Sequence, residues 1–178
     1  WSWSRGLGDV YKRQEYGRNH RFVFATKNIE NLKGIPEEDW QYGENASWLY
    51  YLFPNVQLGG GGHDANLIKI YPDPKNPGRS ITKVNHYFSQ EFIDYVSQVP
   101  DDGKSAYDKD RNPSLDGVVE VFDTTIEQED YLMGETTQKS AETGIVKEFI
   151  FGRNEPALHH YHNTFREALN LPPLEKVG

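Results

Sequence analysis

The sequence predicts an α+β fold in which antiparallel strands come first and helices follow. Three observations carry this. Residues 20–88 hold short runs rich in β-branched and aromatic side chains, separated by Gly, Pro and Asn turns. Beyond Asp116 the spacing of apolar residues lengthens toward a helical period. The chain then ends on an amphipathic stretch that Pro172 and Pro173 stop. A length of 178 residues suits one domain.

Taken in order, residues 20–26 (HRFVFAT) read as a short strand. Residues 31–43 are polar, with Pro36 and Gly43, and read as a short helix or loop. Residues 47–53 (SWLYYLF) are nearly all apolar and are closed by Pro54-Asn55, which predicts a well-buried strand. Residues 56–58 are expected to extend it, and Gly59 to Gly62 to form a turn. A phosphate-binding role for that turn is weak, because no Lys-Ser/Thr follows it. Residues 66–71 (NLIKIY) alternate as a strand, and residues 72–78 make a hairpin-like connection. Residues 80–88 form the next strand. Ile81, Lys83, Asn85 and Tyr87 share one face, and Thr82, Val84, His86 and Phe88 the other. Residues 100–113 read as a loop. Residues 116–140 read as one long helix or as a strand and then a helix. Residues 145–151 read as a strand or a helical turn. Asn154 is placed to cap a last helix, with Pro156 in its first turn and an apolar stripe at Leu158, Tyr161, Phe165 and Leu169.

Composition excludes several classes. Aromatic residues make up 13% of the chain, so a mean hydropathy of −0.79 does not imply disorder. A net charge of −8 argues against a general nucleic-acid binder. There is no apolar run of membrane-spanning length and no apolar leader, so the expectation is a cytoplasmic protein. Cysteine is absent, which excludes disulfides, thiol nucleophiles and any iron–sulfur cluster held by this chain. A metal here must be held by His, Asp and Glu.

One carboxylate stands out. On a helix of about 100° per residue, Asp130 lies within about 60° of Ile126, Met133, Gly134, Thr137 and Ala141. A carboxylate in an apolar stripe needs a cation, strong hydrogen bonds or protonation. A metal ion is one such partner; a paired Arg or a backbone cap is another, and a different helical register would remove the problem. Leu132 falls on the opposite side, so the helix is expected to be covered on both faces. There are six histidines. His159 and His162 are three apart, a spacing that can chelate on a helix or simply bring hydrogen-bonding groups to a packed edge. His160 is expected to face water. No HxxxH or HxxxxH spacing exists in the sequence, so a facial triad built on a closely spaced His pair cannot be completed from one local motif.

The first fourteen residues (WSWSRGLGDVYKRQ) look like a translated transposon-end sequencing adapter of the kind left in metagenomic genes. On that reading residues 1–14 are non-native, and natural sequence begins near Glu15. A family resemblance runs from about Tyr16 to Leu171. It rests on Gly17-Arg18-Asn19-His20-Arg21, Tyr50-Tyr51-Leu52-Phe53-Pro54-Asn55, and His63-Asp64 leading to Tyr71-Pro72. It also rests on Glu129-Asp130 with Gln138 eight residues after the Asp, and on Phe151-Gly152-Arg153-Asn154-Glu155-Pro156-Ala157-Leu158-His159-His160-Tyr161-His162. Together these resemble the C-terminal catalytic domain of Rieske non-haem iron ring-hydroxylating oxygenase α subunits, which implies that residues 15–178 are a partial catalytic domain whose N-terminal Rieske domain is missing.

The resemblance implies a helix-grip fold, in which a curved antiparallel sheet wraps a long helix around an apolar pocket. It implies a mononuclear Fe(II) held by two His and one Asp, of which only Asp130 maps onto this chain. The intact protein would carry a Rieske [2Fe–2S] cluster and draw electrons from NAD(P)H through a reductase or ferredoxin. It would take O₂ and an apolar or aromatic substrate, and assemble as a homotrimer or α3β3 complex. Ile126, Met133, Asn85 and Tyr87 are the candidate pocket residues, with Gln138 and His162 as supporting polar groups. The alternative is a non-catalytic helix-grip domain that carries an apolar small molecule; a carboxylate at Asp130 speaks against it.

Overall fold

The computed structural model describes residues 10–26, 28–40, 43 and 45–176. The first nine residues of the adapter-like segment therefore lie outside the described residues. The chain forms two compact units, one of residues up to Tyr87 together with those from Ile150 on, the other Phe88–Phe149.

The first unit is built on a six-stranded sheet whose strands lie in chain order: β1 (Val10–Tyr16), β2 (Asn19–Ala25), β3 (Ala46–Leu52), β4 (Val56–Gly61), β5 (Asp64–Asp73) and β6 (Asn76–Phe88). β1 to β5 pair antiparallel with their neighbours. The α+β expectation holds, and the sheet with its packed helix is helix-grip-like. β1 begins inside the segment 1–14 and pairs from Val10 onward with β2.

The register defines two sheet faces. One carries the cross-strand row His20, Tyr51, Gln57 and Ile68; the other carries Val23, Trp48, Gly60 and Ala65. Both are covered where β2 and β3 run. Val23 is 1% exposed on one face, and Tyr51 and Ile68 are buried on the other.

Two expectations about β4 are corrected. Residues 56–58 do not prolong β3; the chain reverses at Pro54-Asn55 and they start β4. Gly59, Gly60 and Gly61 belong to that strand, and only Gly62 sits in the turn, with φ of +59°. Close approach of neighbouring chain explains the glycine at position 60. A Cβ there would stand 2.7 Å from the Asp64 carbonyl oxygen and 2.9 Å from the Trp48 ring.

The last helix, α4 (Pro156–Ala168), belongs to the same unit and lies on the Tyr51 face. The Tyr161 ring packs edge-on to Tyr51 at 4.9 Å, and Phe165 packs on Phe53 at 5.0 Å. Its buried side is rotated from the expected stripe. Ala157 and Thr164 are buried and His160, Tyr161 and Phe165 make the ring contacts, while Leu158 and Leu169 are exposed. Small residues at 157 and 164 let the backbone approach a sheet face already filled by aromatic rings. The residue before the helix is Glu155 rather than Asn154; its carboxylate accepts the Gly152 N–H at 2.6 Å. At the other end Asn170 takes φ of +55°, and the N–H groups of Leu171 and Asn170 return to the carbonyls of Arg166 and Glu167. This is a Schellman stop, completed before the prolines are reached.

In the second unit, α1 (Gln90–Ser97) is capped by Ser89, whose hydroxyl accepts the Phe92 N–H at 3.2 Å. α2 (Leu115–Thr125) is capped in the same way by Ser114, which accepts from Gly117 at 3.0 Å. Between them runs the expected loop, where the half-buried Asp102 carboxylate accepts the Asn112 N–H at 2.9 Å. That bond, with Lys104, lowers the pKa of Asp102. The long stretch after Asp116 is helical throughout. α2 passes into a π turn over Ile126–Tyr131 and then into α3 (Leu132–Glu142). Residues 145–151 form neither strand nor helix.

Candidate functional site

Asp130 stands in the π turn. A π turn inserts a residue into the α-helical ladder and is often found where a helix carries function. It also breaks the constant 100° step on which the sequence argument relied, so the stripe drawn through Asp130 does not continue into α3. The structure gives Asp130 an exposed side chain, with no hydrogen bond or ion pair among the described residues. Ile126 is half-buried, and Met133 is 64% exposed. Leu132 is exposed as well, at 57%, so the expectation of a helix covered on both faces is not met. Gln138 points along its own helix and donates to the Glu142 carboxylate at 2.9 Å.

The alternation predicted for β6 is present, but the covered face is the other one. Thr82, Val84, His86 and Phe88 are half-buried, whereas Asn85 is exposed and Tyr87 is 53% exposed. Lys83, on the same face as Asn85 and Tyr87, lays its ammonium over the Tyr71 ring at 5.7 Å. Alternation defines two faces; which one is covered depends on what packs there.

His162 stacks on Phe151 with ring centroids 4.6 Å apart. Burial, and then the nearby Arg166, lower its pKa. His159 lies 6.4 Å from the same Phe151 ring. Neither is joined to a carboxylate in a metal-like cluster. Among the described residues no group of three or more His, Cys, Asp or Glu is arranged to hold a metal. The described residues thus offer one carboxylate at Asp130 and not a full iron ligand set.

The most densely connected titratable cluster was not anticipated. His20, 5% exposed, stacks on Tyr51 at 5.0 Å and meets His160 edge-on at 5.3 Å. Its Nδ1 lies 3.2 Å from Nδ1 of His160, and Nε2 of His160 lies 2.8 Å from the Gly17 carbonyl. His160 therefore does not face water; it ties α4 to the β1–β2 hairpin. Burial lowers the pKa of His20 to about 4, helped by His160 and Arg13 and opposed by Glu15. Tyr51 is pushed above its ordinary value by burial and then by Tyr161. The signal was available in the sequence. His20 alternates with Phe22 and Phe24, so it points to the same side of the strand as two aromatic rings. Across the sheet, Asp64 is also raised by burial, against the pull of His86 and His63.

Residues 8–171 match the family model of the ring hydroxylating alpha subunit (catalytic domain). The chain belongs to that family. No curated protein and no solved structure matches the chain. The ring-hydroxylating α subunits are oxygenases, and their catalytic domain is a non-haem iron domain. The match begins, like β1, inside the segment 1–14. Among the described residues no helix is long and apolar enough to cross a membrane.

Proposed function

We propose that this chain is part of the oxygenase component of a Rieske-type ring-hydroxylating oxygenase. In the intact protein it would use O₂ to hydroxylate an aromatic or related apolar substrate at a 2-His-1-carboxylate Fe(II) site. The observation that carries this reading is the family match over residues 8–171. Asp130 is the carboxylate ligand in this reading. Support for it comes from the π turn, from a carboxylate without a partner among the described residues, and from apolar Ile126 and Met133 within a turn of it. The two His ligands and the [2Fe–2S] cluster would be supplied by sequence outside this chain, with residues 1–14 as an adapter-derived segment.

Electrons would come from NAD(P)H through a reductase or ferredoxin, in a bacterial cytoplasmic trimer or α3β3 assembly. Gln138 and His162 would support the site, and Asn85 and Tyr87 are proposed for the substrate side. The iron would supply O₂ activation when bound. This chain's part would be one anionic ligand and an apolar surround.

The test begins with the full gene, recovered by long-read sequencing of the source DNA. The open frame should continue upstream of Glu15 through Cys and His cluster ligands and a closely spaced His pair. In that intact oxygenase, Asp130→Ala should remove the mononuclear iron, read as loss of the nitric-oxide adduct of the ferrous site, and leave the cluster signal unchanged. A start codon immediately before Trp1, or an undiminished adduct in the variant, would sink the assignment.

A further inference from the structure

The His20–His160 contact has a proton count that its geometry dictates. The Gly17 carbonyl can only accept, so Nε2 of His160 carries a hydrogen. In the neutral pair Nδ1 of His160 is then a bare acceptor, and Nδ1 of His20 must donate across the 3.2 Å gap. One added proton keeps the bridge. It goes to Nδ1 of His160, which becomes the donor, while the hydrogen of His20 moves to its Nε2. A second proton does not keep it, because both facing nitrogens would then carry hydrogens and both rings a positive charge.

The groups around the pair do not offset that charge. β1 brings Arg13 and Glu15, already paired to each other at 2.6 Å, and β3 brings the Tyr51 ring. α4 brings Tyr161, and the Arg18–Glu167 pair spans the hairpin and α4 at 3.7 Å.

We propose that His20 and His160 form a proton-operated latch, which holds α4 on the β1–β2 hairpin with zero or one proton and releases it when both rings are cationic. The inference is independent of the iron assignment. The lowered pKa of His20 gives the direction. Below the ordinary histidine value the opened form binds a proton that the closed form refuses, so opening grows as pH falls toward 4.

The test uses the whole 178-residue chain. Nitrogen-15 shifts at neutral pH should show His160 protonated on Nε2 and His20 on Nδ1. The opposite tautomers would overturn the latch without any variant. Hydrogen exchange of the α4 amides, corrected for intrinsic pH dependence, should then show opening rise by roughly twenty-fold between pH 7 and pH 5. His20→Gln keeps an N–H for His160 but cannot charge, and should flatten that rise. A rise of the same size in His20→Gln would overturn the proposal. So would loss of α4 protection on adding a chelator at pH 7, which would mean that the two nitrogens hold a metal ion rather than a proton.

Discussion

The seam between α4 and the sheet and the π turn around Asp130 use polar groups in opposite ways. At the seam polar groups pair within the chain: His20 with His160, His160 with the Gly17 carbonyl, and the Tyr51 hydroxyl with the Pro54 carbonyl. Around Asp130 the carboxylate has no partner among the described residues, and its neighbours Leu132 and Met133 are exposed. The difference separates two tasks. Groups that hold a fold together satisfy each other within the chain, because an unpaired buried polar group costs roughly 1–3 kcal/mol. On the proposed function, Asp130 is left with spare lone pairs for an external ligand.

Substitutions can break that contrast, and the largest effect is expected at the seam. Tyr51→Ala removes a buried ring packed against both His20 and Tyr161, and should cost about 3–4 kcal/mol in urea unfolding. A loss under about 1 kcal/mol would mean that α4 is not held there. Gly60→Ala drives a methyl into the Asp64 carbonyl and the Trp48 ring and should cost about 1–3 kcal/mol. Asn170→Ala puts a less tolerant residue at positive φ and should cost about 1 kcal/mol, whereas Asn170→Gly should cost nothing or stabilise slightly. Thermal melts of the pair would rank them. Smallest of all, Asp130→Asn should change the stability of this chain by under about 0.5 kcal/mol, since it breaks no internal bond. A large loss there would show that the carboxylate is structural after all and would erase the contrast.

Local patterns in the sequence revealed what local forces decide. The strands at residues 20–26, 47–53 and 66–71 were legible because each is a short apolar run closed by turn residues. The covered face of β6 was not, because alternation is symmetric and only packing breaks the tie. The face of α4 was misjudged for a related reason. Leucines at 158 and 169 looked like core, but a sheet crowded with aromatic rings favours Ala157 and Thr164 at the contact. Asp130 was found on a wheel that assumed a constant step, and the π turn is the place where that step fails. A carboxylate close in sequence to Ile126, Met133 and Gly134 is conspicuous in any register.

Residues 145–151, which form neither helix nor strand, have a consequence for handling the protein. Ile145 is 82% exposed, and Phe149 and Ile150 are also open to solvent. A seven-residue segment of this kind, rich in β-prone side chains and lacking proline, is a template for self-association. Lys147 and Glu148 in its middle are its only charged interruptions. Concentrated solutions of the isolated chain are therefore expected to cloud, and replacing Ile150 with lysine should keep them clear.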